Sequence, residues 1–279
     1  MYSRQPATLK IHSNQIEAAG ISDPGRMRSE NQDAIYLDHD GVFLLLADGM
    51  GGHERGAEAS TSALEIIKKY LQPEVIAQEL CDITEGSGVP AEIVCLTSLV
   101  DEAVRIANET LFDRNRTENL KRYMGTTVVG MIIPEGDNVI WFHVGDSCLY
   151  RLRDSDLTRL TTDHSAHIEW ERNGRLGAEP GKNVITRAIG PSHSVTAETL
   201  WDTRQKGDMY LLCSDGLTDM VSDNEIARIL TDGGEVPEIC SRLVQAANEA
   251  GGNDSVSVVP VSHVIPALEN LPGERRLIV

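Results

Sequence analysis

Three apolar stretches of this 279-residue chain run straight into an aspartate. Residues 42–47 lead into Asp48-Gly49, residues 140–145 into Asp146, and residues 210–214 into Asp215-Gly216. A fourth aspartate, Asp254, stands just ahead of the apolar run 256–261. One Asp-Gly is an ordinary turn signal, because Asp bonds its own backbone and Gly accepts positive φ. Repetition behind buried strands says more. Antiparallel neighbours bring the end of one strand beside the start of the next, so four carboxylates converge on one rim of a sheet. Packed that closely, they repel and hold protons unless cations neutralise them. Oxygen donors with few nitrogens and thiolates beside them select Mg²⁺ or Mn²⁺ over zinc. Gly49 would let a backbone carbonyl approach such an ion closely.

The elements that must hold these carboxylates read from the hydrophobic pattern. Residues 42–47, 128–133, 139–144, 209–213 and 256–261 are short, apolar and rich in Leu or β-branched residues, as strands are. Residues 149–153 and 157–160 flank Asp154-Ser155-Asp156, the pattern of a hairpin with a polar turn. Helical spacing marks 57–71 through Leu64, Ile67 and Leu71, and 99–112 through Val100, Val104, Ala107 and Leu111. Ser222 to Glu225 forms a capping box that opens a helix through Leu230, and a last helix over 236–250 stops at Gly251-Gly252. Strands come in runs rather than in strict alternation with helices. That order favours antiparallel sheet with helices packed outside it, an α+β layout. One domain over 1–279 is expected, with exposed loops at 82–92 and 165–182 and a loose tail over the last dozen or so residues.

Composition narrows the function. Hydrophobic residues make up 41% of the chain but aromatics only 4%, so Val, Ile and Leu must carry the packing. A net charge of −18 excludes a general nucleic-acid binder, which needs clustered Lys and Arg. It suits solubility and cation binding alike. Cys81, Cys95, Cys148, Cys213 and Cys240 are odd in number and form no C-x-x-C pair. Most have apolar neighbours, as buried reduced thiols of a reducing compartment do. With neither a signal peptide nor a run of about 18 apolar residues, a soluble cytoplasmic protein without membrane contact is expected.

Longer pieces surround the aspartates. They are Ser22-Asp23-Pro24-Gly25-Arg26-Met27-Arg28-Ser29-Glu30-Asn31-Gln32-Asp33, Ala47-Asp48-Gly49-Met50-Gly51-Gly52-His53, Met124-Gly125-Thr126-Thr127 and Val144-Gly145-Asp146-Ser147. Then come Leu160-Thr161-Thr162-Asp163-His164-Ser165, Asn183-Val184-Ile185-Thr186-Arg187-Ala188-Ile189-Gly190, Cys213-Ser214-Asp215-Gly216-Leu217 and Asn253-Asp254-Ser255-Val256. In order and spacing, from about residue 17 to 261, the chain resembles the metal-dependent protein phosphatases of type 2C in their compact bacterial form. The resemblance implies a central antiparallel β-sandwich flanked by helices in four αββα layers, with the metal site at one rim of the sheets. It implies hydrolysis of phosphoserine and phosphothreonine monoesters by metal-activated water, without a covalent intermediate, reversing a Ser/Thr kinase. The cofactors would be two Mn²⁺ or Mg²⁺ ions, with a third, weaker ion as in similar bacterial members.

By that resemblance Asp48 bridges two metals and the Gly49 carbonyl adds a ligand to one of them. Asp215 and Asp254 complete the other, and Asp33 holds metal-bound water beside them. Asp146 joins Asp215 at the third ion. Two ions about 3.5–4 Å apart lower the pKa of a shared water, while cations stabilise the phosphoryl oxygens. Arg28 lies at the family's offset from Asp33 for the phosphate-binding Arg, and its planar fork can hold two oxygens. Arg26 does not lie at that offset. His53 is open between protonating the leaving oxygen and touching substrate. His143, inside an apolar run, reads as a core histidine; Asp163 and His164 read as loop pins.

Other phosphatase chemistries are absent. No cysteine opens a C-x5-R, since the residue six after Cys213 is Asp219 and the other four fail likewise. Asp154-Ser155-Asp156-Leu157-Thr158 spells D-x-D-x-T, but the charged run 149–153 is a poor buried strand for that nucleophile. Gln32 stands where many relatives carry Glu. The stretch 165–182, which corresponds to the family's flap, is short and polar, leaving substrate preference open. The partners expected are phosphorylated proteins acting in trans, either targets of a Ser/Thr kinase or the kinase itself, with the protein a monomer. Three rivals stay on the table. They are a non-catalytic binding module of the same fold, a phosphatase of an anti-sigma-antagonist-type switch protein, and a metal-dependent nuclease or nucleotide hydrolase, which the lack of a basic track disfavours.

Overall fold

Strands covered on both faces read as continuous apolar runs, because every side chain is buried whichever way it points. That is the state of most strands here. The structure, a computed structural model, describes residues 9–12, 16–38, 42–50, 55–80, 89–181 and 183–263. The first half runs β1 Leu9–His12, β2 Ile16–Asp23, β3 Asp33–Leu37, β4 Phe43–Met50, α1 Arg55–Tyr70, α2 Pro73–Leu80 and α3 Ala91–Thr117. Five strands follow: β5 Gly125–Thr126, β6 Val128–Ile132, β7 Asn138–Val144, β8 Cys148–Arg153 and β9 Asp156–Arg159. The chain then passes through α4 Ala166–Arg172, β10 Glu198–Thr203, β11 Met209–Cys213 and α5 Asp215–Thr218. Helices α6 Asp223–Thr231 and α7 Val236–Glu249 precede β12 Val256–His263.

Two antiparallel sheets stack face to face. One has the order β1-β2-β12-β11-β8-β9, the other β10-β7-β6-β4-β3, with β5 paired to the end of β4. The period of two along each strand sorts side chains between layers. Leu44 and Leu46 of β4 join Val129, Trp141, Tyr210, Leu212 and Val259 between the sheets. Phe43, Leu45 and Ala47 of the same strand point outward onto α1 and α3. Leu211 and Cys213 of β11 likewise face Leu217, Ile226, Ile239 and Leu243 of α5 to α7. The result is the αββα sandwich and α+β class that the sequence led us to expect.

Several expectations change in detail. Asp48 and Gly49 lie inside β4 rather than in a tight turn, because β3 pairs as far as Asp48 and β5 then pairs Gly49 and Met50. Residues 91 and 92, expected in a loop, open α3, and that helix runs to Thr117. Asn115 sits four places after Leu111 on the buried stripe but is polar, so the apolar pattern ends before the helix does. The flap stretch carries α4, whose cap Ser165 accepts a hydrogen bond from Ile168 N–H. Asp154 and Ser155 do form the turn between β8 and β9, with φ of 51° and 66° as a type I′ hairpin requires. Ser222 caps α6 as expected, and Cys95, Cys148, Cys213 and Cys240 are free and buried. Cys81, His53 and residues 266–279 lie outside the described residues.

Candidate metal centre

Asp33 and Asp48 are in-register partners on β3 and β4. Thr127 fixes the backbone around Asp48: its Oγ1 accepts from Asp48 N–H at 3.0 Å, and its N–H donates to Asp48 O at 2.9 Å. Gly49 N–H donates to Gln32 O at 3.1 Å, and a Cβ on Gly49 would fall 2.0 Å from Gly56 O. Only glycine fits there. From the other sheet, Asp215 begins α5 directly after β11, and Asp254 stands two residues ahead of β12. Ser214 ties the two sheets together by donating from Oγ to Asp33 Oδ2 at 2.8 Å. Asp146, 7% exposed, follows β7 through Gly145. At the rim, half-exposed Arg28 donates to Asp254 Oδ2 at 2.6 Å.

Burial and mutual repulsion favour protons on these carboxyls. Burial, and then the neighbouring Asp33 and Asp215, hold Asp48 well above the usual carboxylate range. Asp33 is pushed up to about 7 by burial, with hydroxyls of Ser257 and Ser214 pulling the other way. Asp146 rises to about 7, again through burial first and then Asp215 and Asp163. Asp215 rises to about 6 by burial, and its carboxyl hydrogen-bonds that of Asp48. One oxygen each of Asp33, Asp146 and Asp215 is buried without a hydrogen-bond partner. Buried orphan acceptors are rare, and hard divalent cations are the partners that all-oxygen donors fit.

A second cluster lies beside Asp146. Ligand atoms of His143, His164 and Glu198 fall within 4.8 Å of one another. Hydrogen bonds favour a structural part for the histidines. Gly145 N–H donates to His164 Nδ1 at 3.1 Å, so the proton of the neutral ring sits on Nε2, facing Glu198 Oε2 at 3.6 Å. Arg187 Nη1 lies 3.3 Å from the same nitrogen. His143 Nε2 lies 2.9 Å from Thr162 O, and its ring stacks on His164 with centroids 4.5 Å apart and planes at 10°. Burial, with His143 and Arg187 nearby, depresses His164 to about 4 and keeps it neutral.

The sequence profile of the family described as "Protein phosphatase 2C" matches residues 26–256. This chain belongs to the protein phosphatase 2C family. It is 34% identical over 249 residues to the serine/threonine protein phosphatase PstP of Mycobacterium tuberculosis, covering 88% of this chain and 44% of that one. The chain thus spans less than half the length of that relative. The serine/threonine phosphatase stp of Listeria monocytogenes is 32% identical over 248 residues, 86% of this chain and 93% of its own. Among solved structures, the M. tuberculosis phosphatase PstP/Ppp superposes with a TM-score of 0.74 at 33% identity, covering 89% of this chain and 99% of that one. The catalytic domain of PstP in complex with two manganese ions gives 0.71 at 34% identity, over 90% and 99%.

Of the residues singled out from sequence, Asp33, Asp48, Asp146, Asp215 and Asp254 gather at one end of the sandwich with Gly49 and Arg28. Arg26, the near neighbour, instead donates its backbone N–H to Gly252 O at 2.7 Å. His143 is a core residue, 0% exposed, as its apolar run implied. Ser214 and Thr127 were not singled out, though both lie within quoted motifs. A hydroxyl's bond to a carboxylate 181 residues away leaves no spacing signal.

Proposed function

We propose that this chain is a metal-dependent serine/threonine protein phosphatase. The carrying observation is the directly opposed pair Asp33 and Asp48, with Asp48 hydrogen-bonded to Asp215 from the other sheet and buried oxygens of Asp33 and Asp215 left without protein partners. Phosphatase names on close relatives of nearly the same length support it. In this reading Asp48, the Gly49 carbonyl, Asp215 and Asp254 hold two Mn²⁺ or Mg²⁺ ions, Asp33 stands beside them, and Asp146 with Asp215 holds a third. Bound there, the ions supply Lewis-acid activation of water and neutralise charge on the phosphoryl oxygens.

The chain's own groups do the rest. Ser214 fixes one oxygen of Asp33, so the other orients water toward phosphorus. Arg28, at the rim beside Asp254, grips phosphate oxygens through its planar guanidinium. His53 is retained as the candidate acid for the leaving oxygen or as a substrate contact. The four described cysteines take no part, since they are buried.

We read the chain as one catalytic domain with a core from about 17 to 261, working as a cytoplasmic monomer on phosphoproteins of a Ser/Thr kinase or on the kinase itself. None of the helices among the described residues is long and apolar enough to cross a membrane. The test is hydrolysis of p-nitrophenyl phosphate and a phosphothreonine peptide by wild type and Asp215→Asn. Activity is expected only with Mn²⁺ or Mg²⁺, lost in EDTA and in the variant, and kept after cysteine alkylation. Activity that survives EDTA or needs a thiol overturns the reading, and an inert wild type leaves the non-catalytic module in its place.

A further inference from the structure

His164 holds two separate parts of the site wall through one residue. Toward Asp146, its backbone N–H donates to Gly145 O at 3.0 Å while Gly145 N–H donates back to the ring Nδ1 at 3.1 Å. Both polar groups of the residue that aims Asp146 therefore belong to His164. Gly145 has φ 105°, and a Cβ there would fall 2.6 Å from Thr127 Cγ2, so the turn has little room to relax. Away from Asp146, His164 O accepts from Thr186 N–H at 2.7 Å, at the return end of the flap segment. The Ser165–Ile185 bridge and the bond from Ala166 N–H to Val184 O, 2.8 Å, close the neck of that segment. Beneath lies the fully buried His143 ring, which resists sideways movement of the His164 ring.

We propose that His164 is the positioning residue that couples the Asp146 turn to the flap segment 165–186, so that an ion on Asp146 sets the pose of the flap against a phosphorylated peptide. The inference rests on the phosphatase reading above. A rigid double hydrogen bond to Gly145 and a single bond to Thr186 leave no independent hinge between the two parts. Movement of Asp146 by a fraction of an ångström is then delivered to the neck of the flap. A small aryl phosphate does not need the flap and escapes this control, whereas a peptide does not.

The test is hydrogen–deuterium exchange with and without Mn²⁺, on wild type, His164→Phe, His164→Asn and Thr186→Pro. Phe keeps a stacking ring but lacks the acceptor, Asn keeps an acceptor where Nδ1 stood, and Pro removes the donated N–H while leaving His164 intact. In wild type, Mn²⁺ slows exchange both around Asp48 and across 165–186. In H164F the slowing around Asp48 remains and that across 165–186 is lost, and without metal Gly145 exchanges about tenfold faster, the loss of roughly one hydrogen bond. H164N keeps Gly145 protected. T186P loses the flap response with Gly145 unchanged, which covers a failure of H164F to fold. For each uncoupled variant, kcat/KM on a phosphothreonine peptide falls about tenfold more than on p-nitrophenyl phosphate. Unchanged Gly145 exchange in H164F, or a flap that still answers Mn²⁺ in H164F or T186P, overturns the coupling. A wild type without any Mn²⁺ response overturns the functional reading instead.

Discussion

Asp33 and Asp48 stand face to face as one register pair of adjacent antiparallel strands, two like charges where a sheet normally sets complementary ones. Opposed carboxylates disfavour the pairing that brings them together. The rest of the β3–β4 ladder, from Ala34↔Ala47 to Leu37↔Leu44, is apolar and holds them there. The strain falls on protonation and is open to relief by a cation.

Replacing Asp33 by Asn stabilises the metal-free protein in alkaline but not in acid solution. Its folded pKa of about 7 exceeds the unfolded value near 4. Its contribution is therefore fully present below about pH 4 and lost as pH rises toward 7. Urea titrations in EDTA should show D33N level with wild type at pH 4.5 and more stable at pH 8, by on the order of 1–2 kcal/mol.

Metal binding releases protons. With Asp33 and Asp146 near 7 and Asp215 near 6 before metal, Mn²⁺ must displace protons at pH 6.5 and few at pH 8.5. Calorimetry in two buffers of different ionisation enthalpy should find apparent affinity rising across that interval. Equal proton release at both values would contradict the carboxylate assignment.

Arg28→Ala lowers kcat/KM on every phosphomonoester by about 10²-fold, the scale of one lost preorganised charge contact in a transition state. Arg28→Lys recovers only part, because the planar fork is gone. The residue is half exposed, so the melting temperature should hardly move. Arg26→Ala, its control, leaves the rate at wild-type level.

Asn115→Ala destabilises the fold by about 2–3 kcal/mol, since it strands buried groups that Asn115 now satisfies. Its side chain donates to Met124 O and Gly190 O at 2.8 and 3.1 Å and accepts from Met124 N–H at 2.9 Å. Chemical denaturation measures this directly. Asp101→Ala on the same helix, away from these loops, should change stability by only a few tenths of a kcal/mol.

Where side chains carry the signal, the fold could be read in advance. The strand 209–213 and the hairpin turn at Asp154-Ser155 came through because apolar period and turn chemistry agreed with the final packing. Strand β2 did not, because Ala18, Ala19 and Gly20 have little hydrophobic weight and are buried only by their neighbours. Edge strand β10 exposes Leu200 and Trp201 and so lacks a clean alternation. In the site, Asp48 and Asp215 announced themselves at the ends of apolar runs. The link from Gly145 to the His164 ring left no trace in spacing, since it depends on a tautomer and a backbone angle set by tertiary contact.

Consider finally how far apart the site's parts lie along the chain. Arg28 and Asp254 touch although 226 positions separate them, and Asp33 and Ser214 meet across the two sheets. During synthesis Asp33 and Asp48 emerge long before Ser214, Asp215 and Asp254 exist. A nascent chain can close β3 on β4, yet it cannot assemble the full ligand set until β12 slots between β2 and β11. Assembly of the full aspartate cluster is thus a late event of folding, since its last member, Asp254, stands two residues ahead of the final described strand.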